Sequence, residues 1–343
     1  MIKEAIGKVV ALQHLSEEEM IAVMQEVMSG SASPAQIGAF ITALRMKGET
    51  VDEIVGAVRV MRDKAVRVET GIDTASGEVL MDIVGTGGDG SGSFNVSTTT
   101  SFVVAAAGVP VAKHGNRAVS SHCGSADVIE ALGVNLNMPL DEVGDCVRQI
   151  GIGFLFAPLL HGAMRHALVP RRDIGIRTLF NILGPMTNPA GANVQLTGVF
   201  SPNLTEPIAE VLMRLGMKRA VIVWGEGNYD EMTVTGATRV TDTGTGELNT
   251  FSITPEELGL RTATAADIRG GATALDSAEQ VRSVLRGEPG AKLDMVLLNA
   301  GASLMAAGRV ANIQAGIDRA REVIASGAAL DKVEQLVRAS RRS

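Results

Sequence analysis

A run of small residues at positions 85–98 is the densest pattern in the chain that could do chemistry. Five glycines lie between Gly85 and Gly92, and hydroxyl side chains follow at residues 97–99. Glycine lets a backbone turn sharply and present successive N–H groups to one anion. A helix that begins after such a loop adds free N–H groups and its positive dipole end. The pattern predicts a phosphate-binding loop, with a plain tight turn as the alternative.

This loop does not complete either of two common nucleotide-binding patterns. Gly85, Gly87 and Gly90 fit the dinucleotide pattern GxGxxG, which also requires an acidic residue about 20 positions later. No Asp or Glu occurs between Asp89 and Asp127, and no Gly-Lys-Ser/Thr follows the glycines. The sequence therefore argues against a nicotinamide dehydrogenase and against a P-loop protein.

A second segment, residues 113–125, combines cations with glycines and serines. Lys113 offers a point charge for phosphate oxygens, and the Arg117 guanidinium can fork onto them. Gly115 and Gly124 permit close approach of the backbone. Because parallel sheets bind ligands at the carboxyl ends of their strands, we expect this segment to lie beside the glycine loop. Two such loops indicate a ligand with two phosphates; a solvated basic turn is the alternative.

Asp230 and Glu231 are adjacent carboxylates that follow a predicted strand ending at Trp224. Neighbouring residues on a strand point to opposite faces, so both carboxylates reach one site only from a loop. The glycines and asparagine of residues 225–228 favour such a loop. Carboxylates beside phosphates most often hold Mg²⁺. We therefore predict a magnesium site here, with ordinary surface charge as the alternative.

The other candidates for chemistry are weaker. His161 and His166 stand five residues apart without an HExxH pattern, which leaves zinc hydrolysis unsupported. Cys123 belongs to no recognisable nucleophile arrangement and is interpreted as a buried thiol. The adjacent Arg171 and Arg172 could bind a substrate carboxylate, although surface ion pairs are the commoner role of such pairs.

The elements that must position these residues begin with a helical segment. Apolar residues recur at helical spacing through residues 1–70, and three capping boxes begin at Ser16, Ser33 and Thr50. A capping box satisfies free N–H groups at the start of a helix by side chains three residues apart. We predict a smaller all-helical N-terminal domain at residues 1–70, joined by later helices.

From residue 71 to 343 the pattern changes to strands that alternate with helices. Such alternation indicates an α/β domain with a mostly parallel sheet flanked by helices. Turn-rich, alternating residues at 241–253 predict an antiparallel edge. The predicted strands are residues 78–84, 109–112, 195–200 and 220–224, and the predicted helices are residues 95–108, 125–132, 206–215 and the last fifty residues.

Composition limits the classes of partner. The 343 residues include 31 Lys and Arg against 38 Asp and Glu, a net charge of −7, with 8 Phe, 1 Trp and 1 Tyr. Such a chain lacks a global attraction for nucleic acid and the aromatic platforms that single strands require. The apolar run at 102–112 is shorter than the roughly 20 residues of a membrane span. No signal peptide is evident, and two cysteines fit a reducing cytosol. We expect a cytoplasmic protein without nucleic-acid or membrane partners.

Several ordered motifs together resemble the anthranilate phosphoribosyltransferase family over essentially the whole chain. The motifs are residues 85–89, 95–98, 113–117, 123–127 and 177–185. The resemblance implies a nucleoside phosphorylase/phosphoribosyltransferase-like fold and a homodimeric, magnesium-dependent enzyme of tryptophan biosynthesis. Such an enzyme transfers the phosphoribosyl group of 5-phosphoribosyl 1-diphosphate (PRPP) to the amine of anthranilate and releases pyrophosphate.

The resemblance also implies ligands for individual residues, carried over motif by motif. The implied anthranilate contacts are Gly85, Asn116 and Arg171, and the implied Mg²⁺ ligands are Ser97, Asp230 and Glu231. The implied PRPP contacts are Gly85, Gly88, Asp89, Ser93, Asn95, Val96, Ser97, Thr98, Lys113, His114, Gly115, Asn116, Arg117, Ala118, Val119, Ser120, Ser121 and Ser125.

The implied chemistry needs no strongly shifted general base, because the aromatic amine of anthranilate is neutral at pH 7. Breaking the bond between ribose C1 and the diphosphate builds negative charge on the leaving group, which Mg²⁺, Lys113 and the loop amides would stabilise. Asn116 and Arg171 would orient anthranilate. In one departure, Trp224-Gly225 stands where the family commonly has His-Gly, which leaves the shape of the metal loop open.

Two other functions stay open on the sequence. A nucleoside phosphorylase of similar architecture would share the phosphate loops but need a nucleobase pocket. A phosphoribosyltransferase-like fold acting as a nucleic-acid-binding module would need a basic groove and would show a steep salt dependence. The net charge of −7 disfavours the second of these.

Overall fold

The computed structural model describes residues 1–118 and 123–341. The first 64 residues form four helices, as the sequence predicts. All three capping boxes are present. The side chains of Ser16, Ser33 and Thr50 each accept a hydrogen bond from the backbone amide three residues later, and the side chain of that later residue accepts one from the backbone amide of the first. The helices are α1 (Ile2–Val10), α2 (Glu17–Met28), α3 (Pro34–Lys47) and α4 (Val51–Lys64).

A sheet of seven strands follows in the order β3-β2-β1-β4-β5-β6-β7. The first five strands are parallel, and the last two form the predicted antiparallel edge. The strands are β1 (Met81–Gly85), β2 (Val111–Gly115), β3 (Ile152–Phe156), β4 (Val194–Gly198), β5 (Arg219–Gly225), β6 (Thr238–Asp242) and β7 (Asn249–Ile253).

Helices cover both faces of this sheet, which confirms the predicted fold class. Two buried clusters of apolar side chains result, one on each face. The helices after β1 are α5 (Val96–Ala106), α6 (Ser125–Ala131), α7 (Leu140–Ile150), α8 (Ala157–Leu160), α9 (Arg165–Ile174), α10 (Phe180–Leu183), α11 (Thr205–Arg214), α12 (Ala274–Leu285), α13 (Ala291–Ala306), α14 (Ile313–Ala325) and α15 (Ala328–Ala339).

The N-terminal helices do not pack alone. Helix α9 packs against α2 and α3, and α11 packs against α4. One buried cluster accordingly contains side chains from α1 to α4 together with Ala167, Leu179 and Leu212. These contacts agree with later helices joining the N-terminal unit, while the division at residue 70 stays a prediction.

The sequence prediction missed strand β3, whose five residues read IGFLF. Its fully apolar character carries no alternation, because a strand buried on both faces has no solvent side to mark with polar residues. Within the described residues, no helix combines the length and apolar character that a bilayer crossing requires.

Candidate active site

The candidate site lies where the order of strands reverses. The chain runs from β1 outward to β2 and β3, and then returns to place β4 on the other side of β1. Open parallel sheets bind ligands at such a switch point, outside the carboxyl ends of the strands. Here those ends are Gly85 of β1 and Gly198 of β4, which are paired in register.

The glycine loop leaves β1 in a conformation that requires glycine. Gly87, Gly88, Gly90 and Gly92 all have φ between 66° and 75°, a region that residues with a Cβ rarely adopt. Three bonds hold the first part of the loop. The Thr86 amide donates to the Gly198 carbonyl (3.0 Å), the Gly87 amide to Asp230 Oδ2 (2.6 Å), and the Arg177 guanidinium to the Gly88 carbonyl.

Asp230 and Glu231 reach the glycine loop from the loop after β5, as the sequence predicts. A Cβ at Gly85 or Gly198 would overlap Asp230, so these glycines permit the close approach. Carboxylate oxygens of Asp89, Asp230 and Glu231 lie within 4.8 Å of one another. Asp89 was predicted only as a PRPP contact, and its place beside the other two carboxylates is a finding of the structure.

The electrostatics of these carboxylates fit a divalent cation. Burial, followed by the nearby Asp89, raises the pKa of Asp230 to about 7, and burial together with Asp230 raises the pKa of Glu231 well above its usual value. Asp89 Oδ2 is buried without a hydrogen-bond partner among the described residues. Carboxylates that lie together, repel one another and include an acceptor without a donor are suited to hold Mg²⁺, which takes oxygen ligands. Ser93 Oγ donates to Glu231 Oε2 at 3.5 Å.

Lys113, predicted to contact phosphate, is buried under the loops. Its Nζ donates to the His114 carbonyl at 2.9 Å, and the residue lies two positions before the end of β2. Burial lowers the pKa of Lys113, while Asp82, Asp230 and Glu231 act in the opposite direction. The ammonium group therefore balances part of the negative charge of the site from below.

The His114 side chain, also predicted to contact PRPP, is buried beside His161. The two Nε2 atoms are 3.2 Å apart. Burial and then His161 lower the pKa of His114 to about 3, and burial lowers the pKa of His161 to about 4. Both rings are therefore neutral at pH 7. The sequence considered His161 only as a zinc ligand, because no local pattern links it to a residue 47 positions away.

In the loop after β2, charged side chains are already bonded to other groups of the protein. The Arg117 guanidinium pairs with Asp127 (2.9 Å) and Glu130 (2.8 Å), so it does not face the site as a free phosphate fork in this structure. Asn116 is exposed, and its amide donates to Ser125 Oγ at 3.1 Å. Ala118 donates its amide to Asp127. The predicted contacts Val119, Ser120 and Ser121 lie outside the described residues.

The two loops are joined at the start of α5. Asn95, which precedes α5, donates from Nδ2 to the Cys123 carbonyl at 3.2 Å. Ser97 lies in the first turn of that helix, and Thr98 Oγ1 is buried there without a partner among the described residues. Cys123 itself is half-buried, so the prediction of a buried thiol was wrong.

Arg171 and Arg172 differ sharply although they are adjacent. Arg172 is exposed and pairs with Asp173. The Arg171 guanidinium instead lies over the Phe180 ring at 5.2 Å, with its pKa lowered by burial, and has no carboxylate partner among the described residues. A half-buried cation without an anion can bind a substrate carboxylate.

Arg177 is a residue of the site that reasoning from sequence did not single out. Its guanidinium joins the glycine loop to Phe200, over whose ring it lies at 4.5 Å. It was noted only as the first residue of a motif that resembles the family. No local signal identifies its contact, because the Gly88 carbonyl that accepts from it is 89 positions away.

Comparisons with known proteins agree over the whole chain. A family model described as "Glycosyl transferase family, a/b domain" matches residues 77–330, and one described as "Glycosyl transferase family, helical bundle domain" matches residues 3–65. An anthranilate phosphoribosyltransferase from Desulfotalea psychrophila is 66% identical over 98% of this chain and 96% of its own length.

Solved structures show the same similarity. The anthranilate phosphoribosyltransferase from Thermus thermophilus superposes with a TM-score of 0.92 at 44% identity, covering 98% of this chain and 99% of that one. The Saccharomyces cerevisiae enzyme in complex with PRPP and Mg gives 0.87 at 27% identity, covering 99% and 97%. On sequence, fold and site together, the chain belongs to the anthranilate phosphoribosyltransferase family of glycosyl transferases.

Proposed function

We propose that this chain transfers the phosphoribosyl group of PRPP to the amine of anthranilate, with release of pyrophosphate, in tryptophan biosynthesis. Membership of the family supports the reaction. The observation that carries it in this chain is the meeting of three carboxylates, Asp89, Asp230 and Glu231, with the glycine loop at the switch point. This arrangement suits a diphosphate bound together with a cation.

The residues present fit Mg²⁺, which Asp89, Asp230 and Glu231 would hold together with the predicted ligand Ser97. When bound, Mg²⁺ supplies positive charge that stabilises the diphosphate as a leaving group. The yeast relative was solved with PRPP and Mg, which supports the same ion here.

Besides Mg²⁺, backbone amides and Lys113 would stabilise the negative charge of the diphosphate. Amides of the glycine loop and of the first turn of α5 are available to the diphosphate, and the dipole of α5 favours negative charge at that end. The Lys113 ammonium lies behind the carboxylates and offsets their repulsion. These groups are in place before the reaction, so they act where charge grows in the transition state.

The amine acceptor needs orientation rather than deprotonation. The Arg171 guanidinium is free of a protein carboxylate among the described residues and can pair with the carboxylate of anthranilate. Asn116 is exposed directly after β2, and Gly85 ends the neighbouring strand β1, so both predicted anthranilate contacts lie at the carboxyl edge of the sheet. Holding both substrates in one crevice supplies the gain in rate that positioning gives.

Loss of anthranilate fluorescence in the presence of PRPP and Mg²⁺ tests the function directly. We expect the wild-type chain to consume anthranilate only when all components are present, and the double variant Asp230→Asn/Glu231→Gln to lose the Mg²⁺ dependence with most of the turnover. Glu226→Gln, in the same loop but bonded to the Ala237 amide, is the matched control. Turnover of thymidine or uridine with phosphate and none of anthranilate would contradict the proposal.

We further propose a homodimer in the cytoplasm. Four of the large exposed apolar side chains among the described residues lie on α1, α3 and α9, and α3 packs against both of the other helices. Val10 is 65% exposed, Met46 80% and Leu168 55%. Apolar side chains exposed to water are costly, and a second copy of the chain packed on these helices would cover them.

A further inference from the structure

Strands β1 and β2 are hydrogen-bonded only where their ladder begins. Among the described residues, β1 pairs with β4 at all five of its positions, and β2 pairs with β3 at all five. By contrast, β1 and β2 pair only at Met81 and Val111. The two strands that carry the substrate loops therefore lack backbone ladder bonds along most of their length, a break that we call the split.

A continued parallel ladder would next join Ile83 to Lys113. It would bond the Ile83 amide to the Ala112 carbonyl and the His114 amide to the Ile83 carbonyl, because parallel bonds recur every two residues. In this structure the His114 amide donates to Asp82 Oδ1 at 3.1 Å. The Ala112 carbonyl accepts from Asn188 Nδ2 at 2.8 Å. Side chains have replaced the missing strand bonds.

Asp82 and Asn188 are also bonded to each other. Asn188 Nδ2 donates to Asp82 Oδ2 at 2.8 Å, and its Oδ1 accepts from the Ala190 amide at 2.9 Å, which fixes the orientation of the Asn188 amide. Asp82 is fully buried and Asn188 nearly so. The pair fills the split between β1 and β2 with every polar atom of the two side chains bonded.

A buried carboxylate at position 82 lowers the stability of the fold relative to an uncharged arrangement. Burial raises the pKa of Asp82 to about 6, although Lys113, Asn188 and the His114 amide act against that rise. A buried charge costs free energy that its partners repay only in part, whereas backbone bonds between the strands would satisfy the same groups without it. The stability of the fold therefore does not explain why a carboxylate occupies this position.

The split points at the two substrate loops, since β1 ends at Gly85 and β2 at Gly115. We propose that Asp82 and Asn188 are positioning residues, a wedge that sets the distance between the glycine loop and the loop after β2 so that both contact one PRPP molecule. The inference rests on the proposed function. Neither side chain touches the reacting atoms, because both lie between the strands below the loops.

Two variants test the wedge by steady-state kinetics and thermal unfolding at pH 8. Asp82→Asn keeps the shape of the side chain but turns an NH₂ group toward one of its two donors, the His114 amide or Asn188 Nδ2. Asn188→Ser shortens the other side chain of the wedge. We expect each to raise the KM for PRPP about tenfold or more, because small displacements of positioning groups have large effects. We expect the Tm of Asp82→Asn to fall, because the new NH₂ group faces a buried donor and Lys113 loses a buried anion, so the KM is measured on folded protein well below that Tm.

Gln195→Leu is the matched control. Gln195 lies buried in β4, in register with Asp82, and its Nε2 donates to the Pro185 carbonyl at 2.7 Å. Within the described part of the chain, its side chain thus holds the same segment as Asn188 without a hydrogen bond to the side chain of either wedge residue. We expect its Tm to fall and its KM for PRPP to stay within about twofold of the wild type.

The outcomes separate the wedge from its alternatives. A KM for PRPP in both wedge variants equal to that of the wild type overturns the proposal, as does an equal rise in Gln195→Leu. If Asp82→Asn does not fold, the KM of Asn188→Ser decides. A wild-type chain that does not consume anthranilate with PRPP instead refutes the proposed function, and that assay is run first.

Discussion

At the scale of single residues, burial decides which charged groups of the site are available to a ligand. Arg117 is the conspicuous cation of the second loop, yet Asp127 and Glu130 already neutralise it. Arg171 lies in a helix that the sequence marks only by a pair of arginines, and its guanidinium has an aromatic ring beside it rather than an anion. Among the described residues, Arg171, the proposed anthranilate contact, is therefore a cation without a carboxylate partner, whereas Arg117 is already paired.

Arg171→Ala should weaken anthranilate selectively. A charge-assisted hydrogen bond contributes about 1.5–3 kcal/mol, so the KM for anthranilate should rise roughly 10- to 100-fold. The KM for PRPP should change little, because the PRPP loops follow strands β1 and β2, whereas Arg171 lies in helix α9. Steady-state kinetics with each substrate varied in turn measure both values. Arg172→Ala, which removes an exposed arginine, is the control; equal effects of the two substitutions would refute the role of Arg171.

The buried histidine pair should make the protein sensitive to acid. The folded-state pKa values of His114 and His161, about 3 and 4, lie below the value near 6.5 of an unfolded chain. Their contribution to stability is therefore present above pH 6.5 and is lost as the pH falls, because the unfolded state then binds more protons. Each histidine contributes up to about 2 kcal/mol of this loss between pH 7 and pH 5.

His161→Gln should therefore lose less stability than the wild type over that interval. Urea unfolding at pH 7 and pH 5 gives the free energy of unfolding in each case, and the difference between the two proteins isolates the histidine from the carboxylates of the site. His166→Gln, in α9 outside the buried pair, serves as the control. Identical pH dependence in His161→Gln and the wild type would count against a neutral buried pair.

At the scale of elements, three capping boxes of the same local geometry have different surroundings. Glu19 closes the box of α2 in contact with solvent. Glu53 closes the box of α4 but is fully buried, and it accepts from Lys47 Nζ (2.9 Å) and from the Leu15 amide (2.9 Å). The same carboxylate thus joins the α1–α2 and α3–α4 connections into one unit.

Glu53→Ala should destabilise the protein far more than Glu19→Ala. Removing Glu53 leaves the Lys47 ammonium buried without its anion, which costs about 3–5 kcal/mol. Removing Glu19 loses a cap in contact with solvent, worth about 0.5–2 kcal/mol. Urea unfolding measures both, and the kcat of the folded protein should be unchanged in each because α2 and α4 are remote from the carboxylates. Equal losses would show that the buried ion pair adds nothing.

At the scale of the whole molecule, the two faces of the sheet pack against different groups of helices. One face packs against α5 and the C-terminal helices, which form the larger apolar cluster. The other face, with α11, joins the sheet to the N-terminal helices. Four of the large exposed apolar residues in the described part of the chain, Val10, Met46, Leu168 and Val169, lie on α1, α3 and α9.

A dimer through this face predicts a specific effect of charge. Val10→Glu/Met46→Glu should sediment at the mass of one chain while the wild type sediments at twice that mass, because two glutamates per copy would face their counterparts across the contact. Leu275→Glu places the same charge at an exposed apolar residue of α12 and should leave the dimer intact. Wild-type protein at the mass of one chain in analytical ultracentrifugation would contradict the dimer.

Much of the fold and part of the site could be predicted because their causes are local. Capping boxes, glycines with positive φ and the alternation of strands and helices depend on residues close in sequence. The glycine loop, the loop after β2 and the pair Asp230 and Glu231 were predicted on one edge of the sheet, and the structure brings the glycine loop and the carboxylates into contact. Strand β3 was missed because a short apolar run without alternation does not distinguish a strand from a buried helix segment.

The sequence by itself determined the element types, the glycine loop and the carboxylates available for a cation, since each follows from short-range sterics and side-chain chemistry. Only the tertiary structure decided which of these groups are free. It placed Asp89 with the carboxylates, paired His114 with His161 and neutralised Arg117. It also left Arg171 without an anion within the described part of the chain, and set Asp82 and Asn188 between two strands. The physical reason is that burial and partners come from residues distant in the chain, and these determine charge state and hydrogen bonding.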